Sequence, residues 1–117
     1  MTRMRMGRTV PPYAHSVPGE MTVFAKRVLD VVDRIPRGKV MAYGDVAEYL
    51  GAGSARAVGR VMATWGSEVP WHRVLRADGS CATHKADRQL ELLRRERVPL
   101  RGGRVDMDRA RWDGTAG

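Results

Sequence analysis

A single cysteine, Cys81, stands among the 117 residues of this chain. One thiol excludes an internal disulfide framework and any zinc site built from several cysteines, and it fits a reducing, intracellular compartment. Histidine is equally scarce, and the three present are dispersed without metal-ligand spacing. No metal and no cofactor is therefore expected. No apolar run approaches the roughly 20 residues that span a bilayer, and no apolar core of about 7–15 residues follows the N-terminal arginines. The chain reads as cytoplasmic, with no membrane partner. Internal repeats, low-complexity blocks and a second linker are also missing. At this length one domain is expected, because chains usually divide only above roughly 150–200 residues.

Acidic residues are the other shortage. Thirteen Asp+Glu face 21 Lys+Arg, for a formal charge of +8. Such a surplus favours a polyanion partner, since each neutralised phosphate releases condensed counterions. A basic protein with no anionic partner is the alternative that charge alone leaves open. Residues 1–19 hold three Arg, three Pro and no acid, and read as a flexible basic tail. Without them 18 basic and 13 acidic residues remain, so the body spanning 20–117 is itself at +5. With 43% hydrophobic residues a small core is available to that body.

After Thr22, a candidate N-cap, Phe24, Val28, Val31, Val32 and Ile35 fall at i, i+4, i+7, i+8 and i+11, one face of a helix that ends before Pro36. Pro36-Arg37-Gly38 reads as a turn into an extended piece over 39–42. A second helix is predicted over 44–50, with Val46, Ala47 and Leu50 inward, stopped by Gly51-Ala52-Gly53. Ser54 can cap a third helix running to about Trp65. Two short helices around a glycine-containing turn form a helix-turn-helix signature. On the third helix Val58, Val61, Met62 and Trp65 share one side, and Arg56, Gly59, Arg60 and Ala63 share the other. Two guanidinium groups interleaved with residues of almost no side chain suit close approach to a DNA groove, where a solvated face would carry long charged residues throughout. Further on, HRVL (72–75) reads as a short strand ended by Asp78-Gly79. Residues 86–97 read as a fourth helix with Leu90, Leu92 and Leu93 apolar. Residues 105–112 read as a strand or wing with a last helical turn. Trp65 and Trp112 are assigned to the core. Trp71, between Pro70 and His72, is either a core ring or one left partly exposed.

Few residues offer covalent chemistry. Cys81 lies three residues from His84 in a stretch without regular pattern and reads as an incidental thiol. His72 has no neighbouring Ser or Cys to activate.

Three runs, IPRGKVMAYGDVAEYLG (35–51), SARAVGRVM (54–62) and VPWHRVL (69–75), resemble the DNA-binding domain of the O6-alkylguanine-DNA alkyltransferases. More closely, they resemble the alkyltransferase-like proteins, in which Trp replaces the acceptor Cys of a Pro-Cys-His-Arg motif. The likeness covers about Met21 to Trp112. It implies a mainly α, winged helix-turn-helix-like single domain with short β segments. It further implies minor-groove binding to double-stranded DNA and rotation of an O6-alkylguanine out of the stack, as an atom hidden in a duplex requires. By the same resemblance Arg56 is the finger that fills the vacated stack, Tyr43 presses on the target's phosphate, and Ala55, Ala57 and Gly59 lie against the groove beside Arg60. Tyr43 read by itself is a buried ring at the start of the second helix. Trp71 falls on the acceptor position, where an indole is no usable nucleophile. Transferase activity is then expected to be absent, with the ring lining a lesion pocket alongside Val74, and with His72 reduced to a structural hydrogen-bonding residue. The segment after Gly79 is shorter than the family's usual loop, so His84 or Lys85 is the candidate positive group there. Nucleotide excision repair proteins are the implied partners of a monomer associated with the nucleoid. Two other readings stay open: a transferase that uses Cys81, and a helix-turn-helix regulator in the major groove. The latter expects long polar side chains where Ala57, Gly59 and Ala63 stand.

Overall fold

Thr22 begins the first helix as the sequence suggests. Its Oγ1 accepts from the Ala25 N–H at 3.0 Å, and α1 runs over Val23–Arg34. This is a computed structural model, and it describes residues 21–82 and 84–115. The tail expected over 1–19 lies outside the described residues. β1 (Met41–Ala42), α2 (Tyr43–Leu50) and α3 (Ala55–Trp65) follow, then 3-10 turns at Gly66–Glu68 and Trp71–Arg73. β2 (Val74–Leu75), α4 (Ala86–Arg95), a hairpin of β3 (Leu100–Arg101) and β4 (Arg104–Val105), and α5 (Met107–Ala110) complete the chain. This is a mainly helical domain with short strands. Among the described residues no helix is long and apolar enough to cross a membrane.

β1 and β2 pair in parallel, Met41 opposite Val74 and Ala42 opposite Leu75. Successive strand side chains point to opposite faces, and this two-residue pair thereby divides the interior. Met41 and Val74 face a cluster formed with Val28, Leu29, Val32, Val46 and Val58. Ala42 and Leu75 face a second one with Leu93, Val98, Val105 and Ala110. Val40 continues the alternation into the second cluster and is bonded on both sides by the C-terminal segment, its N–H to the Ala110 carbonyl and its carbonyl to the Trp112 N–H. The tight α2–α3 turn needs Gly53, at φ +78°, because a Cβ there would run into the Phe24 ring of α1.

Several boundaries differ from expectation. The strand expected over HRVL is only Val74–Leu75, because Pro70 turns the chain and the Arg73 N–H closes back on the Pro70 carbonyl at 3.0 Å. His72 and Arg73 belong to that turn. Trp65 is half-buried against the first cluster, whereas Trp112 is buried in it. On α4 Leu93 is buried but Leu90 and Leu92 only partly so, and the fully buried partner is a polar residue, Gln89. That helix ends at Arg95 and not at Arg97. The Arg97 N–H bonds the Arg94 carbonyl and the Val98 N–H bonds the Leu93 carbonyl, a left-handed helix termination in which Arg97 sits at φ +61°. Glycine normally fills that position, and its absence hides the boundary from sequence.

A Cβ-bearing residue in the left-handed region costs roughly 1 kcal/mol or more. Arg97→Gly is expected to stabilise the fold by about 1 kcal/mol, read as a higher urea midpoint at unchanged slope. An unchanged or lower midpoint would mean that Arg97 sits there without strain.

Candidate nucleic-acid interface

α3 is held by its inner face. Ser54 Oγ accepts from the Ala57 N–H at 3.1 Å, Val58 and Val61 are buried, and Met62 and Trp65 pack partly buried on the same side. Outward, Ala55, Arg56, Arg60 and Ala63 are exposed, with Ala57 and Gly59 half-buried. Among the described residues neither Arg56 nor Arg60 makes an ion pair. Among the described residues, nothing beyond the helix's own backbone and the neighbouring residues lies within 4 Å of where a Gly59 Cβ would stand. A mid-helix glycine costs about 1 kcal/mol relative to alanine, and no internal packing here requires one. Its open flank is therefore available to an outside surface. An open depression beside the start of this helix is lined by Gly44, Ala47, Glu48 and residues 51–55. A second depression lies under the β3–β4 hairpin, around Asp78, Arg101 and Asp106. Trp71 lines neither.

The Trp71–Arg73 turn is organised by one carboxylate from the end of α4. Glu96 Oε2 accepts from His72 Nε2 and from an Arg73 terminal nitrogen, each at 2.7 Å. Its Oε1 accepts from Arg73 Nε at 3.0 Å and from the Gly38 N–H at 3.2 Å. The other Arg73 terminal nitrogen donates to the Ile35 carbonyl at 2.7 Å, capping the end of α1. Burial alone pushes the Glu96 carboxyl up, but the hydrogen bonds from Arg73, His72 and Gly38 outweigh it and hold the group down at about 2. From the far side Gln89 Nε2 donates to the Val74 carbonyl at 2.9 Å and the His72 carbonyl at 3.2 Å.

This scaffold leaves the Trp71 ring half-buried, edge-on to His72, with the Lys85 ammonium 5.8 Å from the ring centroid. Of the predicted pocket residues, Trp71 and Lys85 are thus brought together. His84 is exposed, and the Val74 side chain is buried in the first cluster with its carbonyl already accepting from Gln89. Tyr43 opens α2 only half-buried, where its reading by itself expects a buried ring, and burial pushes its phenol up. Cys81 packs against the second cluster, where burial pushes its thiol up, the opposite of what activates a nucleophile. Among the described residues no group of three or more His, Cys, Asp and Glu is placed to hold a metal.

Glu96 and Gln89 were not singled out from sequence. A signal for Glu96 was present, since an Arg73 beside apolar Val74 and Leu75 calls for a carboxylate once it leaves solvent. Gln89 had none, for a polar residue on a charged helix reads as solvated.

Residues 23–98 match the family model of the 6-O-methylguanine DNA methyltransferase DNA-binding domain. The chain belongs to this family. It is 39% identical over 114 residues to the DNA base-flipping protein of Escherichia coli, covering 88% of each. It is 46% identical over 63 residues to alkyltransferase-like protein 1 of Schizosaccharomyces pombe, covering 51% of this chain and 58% of that one. Among solved structures of the family, the S. pombe Atl1 complex with damaged DNA containing O6-carboxymethylguanine superposes with a TM-score of 0.67 at 33% identity. That match covers 76% of this chain and 94% of Atl1.

The depressed Glu96 fixes a sign for stability against pH. A carboxyl lowered in the folded state contributes stability that is complete above its ordinary value of 4.5 and is lost as pH falls toward about 2. Wild-type unfolding free energy is expected to drop by on the order of 3 kcal/mol across that window more than that of Glu96→Gln. Parallel pH profiles for the two proteins would show that the carboxylate is not the acid-labile tie.

Proposed function

We propose that the protein is a non-enzymatic sensor of O6-alkylguanine in duplex DNA. Its α3 enters the minor groove with Ala55, Ala57 and Gly59 against the duplex and Arg60 toward it. The alkylated guanine rotates out, Arg56 takes its place in the stack, and Tyr43 bears on the target's phosphate. The Trp71 ring receives the flipped base with Lys85 beside it, and His84 and the Val74 backbone border that pocket. The held lesion is then passed to nucleotide excision repair proteins. The protein acts as a monomer in the cytoplasm, at the nucleoid.

The observation that carries this reading is Trp71 itself. An indole stands half-buried on a turn whose histidine and arginine are tied to Glu96, and an indole cannot accept an alkyl group by in-line displacement. Support comes also from the open flank at Gly59 between two arginines that make no ion pair among the described residues, and from relatives named for base flipping or solved on damaged DNA.

At one fixed salt concentration, needed because phosphate contacts dominate both affinities, a duplex carrying a single O6-methylguanine is expected to bind more tightly than the same duplex without it. Equal affinities would sink the proposal. Radiolabelled methyl on that base is expected to stay on the DNA, and label recovered on Cys81 would make the protein a transferase. Arg56→Ala is expected to weaken lesion binding about ten- to a hundredfold, since the finger offsets unstacking worth a few kcal/mol, with a smaller loss on plain DNA. Trp71→Ala is expected to erase most of the difference between the two duplexes. Equal losses on both DNAs in the first variant would make Arg56 a simple phosphate contact, and an unchanged ratio in the second would return Trp71 to the core.

A further inference from the structure

Tyr43 and Arg76 leave the two strands of the parallel pair side by side. The register pairs Met41 with Val74 and Ala42 with Leu75, so Tyr43 and Arg76 occupy its next step. Tyr43 opens α2 directly after β1 and packs against the cluster of Met41 and Val74, and Arg76 follows β2 directly. Their charges meet as well: the Arg76 guanidinium opposes the rise that burial imposes on the Tyr43 phenol.

The backbone of Arg76 is pinned. Its N–H donates to the Ser80 carbonyl at 3.0 Å, and its carbonyl accepts from the Gly79 N–H at 2.9 Å. Gly79, at φ +86°, admits no Cβ, which would collide with the Val105 carbonyl, and its own carbonyl accepts from the Val105 N–H at 3.0 Å, which ties the turn to β4. The side chain, by contrast, is exposed and makes no ion pair among the described residues. The exposed Asp78 carboxylate nearby is bonded elsewhere, Oδ1 accepting from both the N–H and the hydroxyl of Ser80 and Oδ2 pairing with Arg104 at 3.3 Å, and it feels the Arg76 charge without forming an ion pair with it.

A half-buried phenol kept protonated supplies one O–H donor but no charge. A phosphate held only by Tyr43 would remain anionic where a flipped nucleotide crowds the backbone. A guanidinium alongside supplies the missing charge and a two-pronged donor. We infer that Arg76 and Tyr43 form one phosphate-binding subsite, Tyr43 donating from its hydroxyl and Arg76 neutralising the same backbone phosphate of the DNA. This rests on the proposed DNA-binding reading of Tyr43.

The test uses the full chain and a duplex carrying one O6-methylguanine. Arg76→Ala is expected to lower the slope of log affinity against log salt by about 0.9, so that its deficit against wild type shrinks about three- to fourfold between 50 and 200 mM salt. Arg76→Lys, which keeps the charge, is expected to keep the slope. In a double-mutant cycle, Tyr43→Phe is expected to cost less in the Arg76→Ala background than alone, because the two side chains share one partner. An unchanged slope in Arg76→Ala, a slope lost equally in Arg76→Lys, or strictly additive losses would overturn the inference. The two proposals fail separately. Wild-type protein that binds lesion and plain duplexes equally removes the sensor reading, whereas a discriminating wild type with an unaffected Arg76→Ala removes only this subsite.

Discussion

The Glu96 carboxylate joins three stretches of chain that are remote in sequence: the end of α4 that carries it, the Trp71–Arg73 turn, and the loop at Gly38 between α1 and β1. Its side chain is only 7% exposed. A charge so placed is tolerated because both oxygens are used and because Arg73 carries the tie onward to the Ile35 carbonyl. Truncating one member strands the others, at a typical cost of about 3–5 kcal/mol. The consequence reaches past stability. The turn so fixed leads straight into β2, and β2 with β1 divides the two clusters of the core. The setting of Trp71 and the partition of the interior therefore answer to the same carboxylate.

α3 is held by different physics. α3 depends on a serine cap and on apolar burial along one face, and neither makes any demand on the opposite face. That independence lets Gly59 stand mid-helix with nothing beside it and leaves Arg56 and Arg60 without acidic partners among the described residues. A duplex-facing surface needs such freedom. Arginines already paired would have to exchange a carboxylate for a phosphate, and long side chains would hold the backbone away from a groove. The proposed interface thus combines a helix fixed from behind with a turn fixed from within.

This division explains what was legible in the sequence. α1 and α3 were readable to within a residue, because caps at Thr22 and Ser54 and the spacing of Val28, Val32, Val58 and Val61 are local signals of burial. The outward set on α3 followed from the same periodicity. The short β pair was only partly readable, and the hairpin at 100–105 meets the strand or wing expected over 105–112 only at Val105, since two-residue strands carry no period. What escaped was polar and non-local. His72 and Glu96 lie 24 residues apart, and Gln89 bonds carbonyls 15 and 17 residues away. Hydrophobic spacing marks where apolar residues turn inward and says nothing of a buried amide or carboxylate. The end of α4 escaped because Arg97 holds a conformation that glycine usually announces.

The network around Trp71 also limits what the turn can do. In a pocket built on an acceptor thiol, a neighbouring histidine matters as the group that takes a proton. Here His72 Nε2 is committed to Glu96, and the Arg73 guanidinium is divided among Glu96 and the Ile35 carbonyl. Drawing His72 Nε2 or the Arg73 guanidinium toward a base would dismantle the support of their own turn. A base facing Trp71 would meet the ring itself and the Lys85 charge 5.8 Å from its centroid. An aromatic face and a cation read the polarisability and electrostatic potential of a base more than its hydrogen-bonding edge.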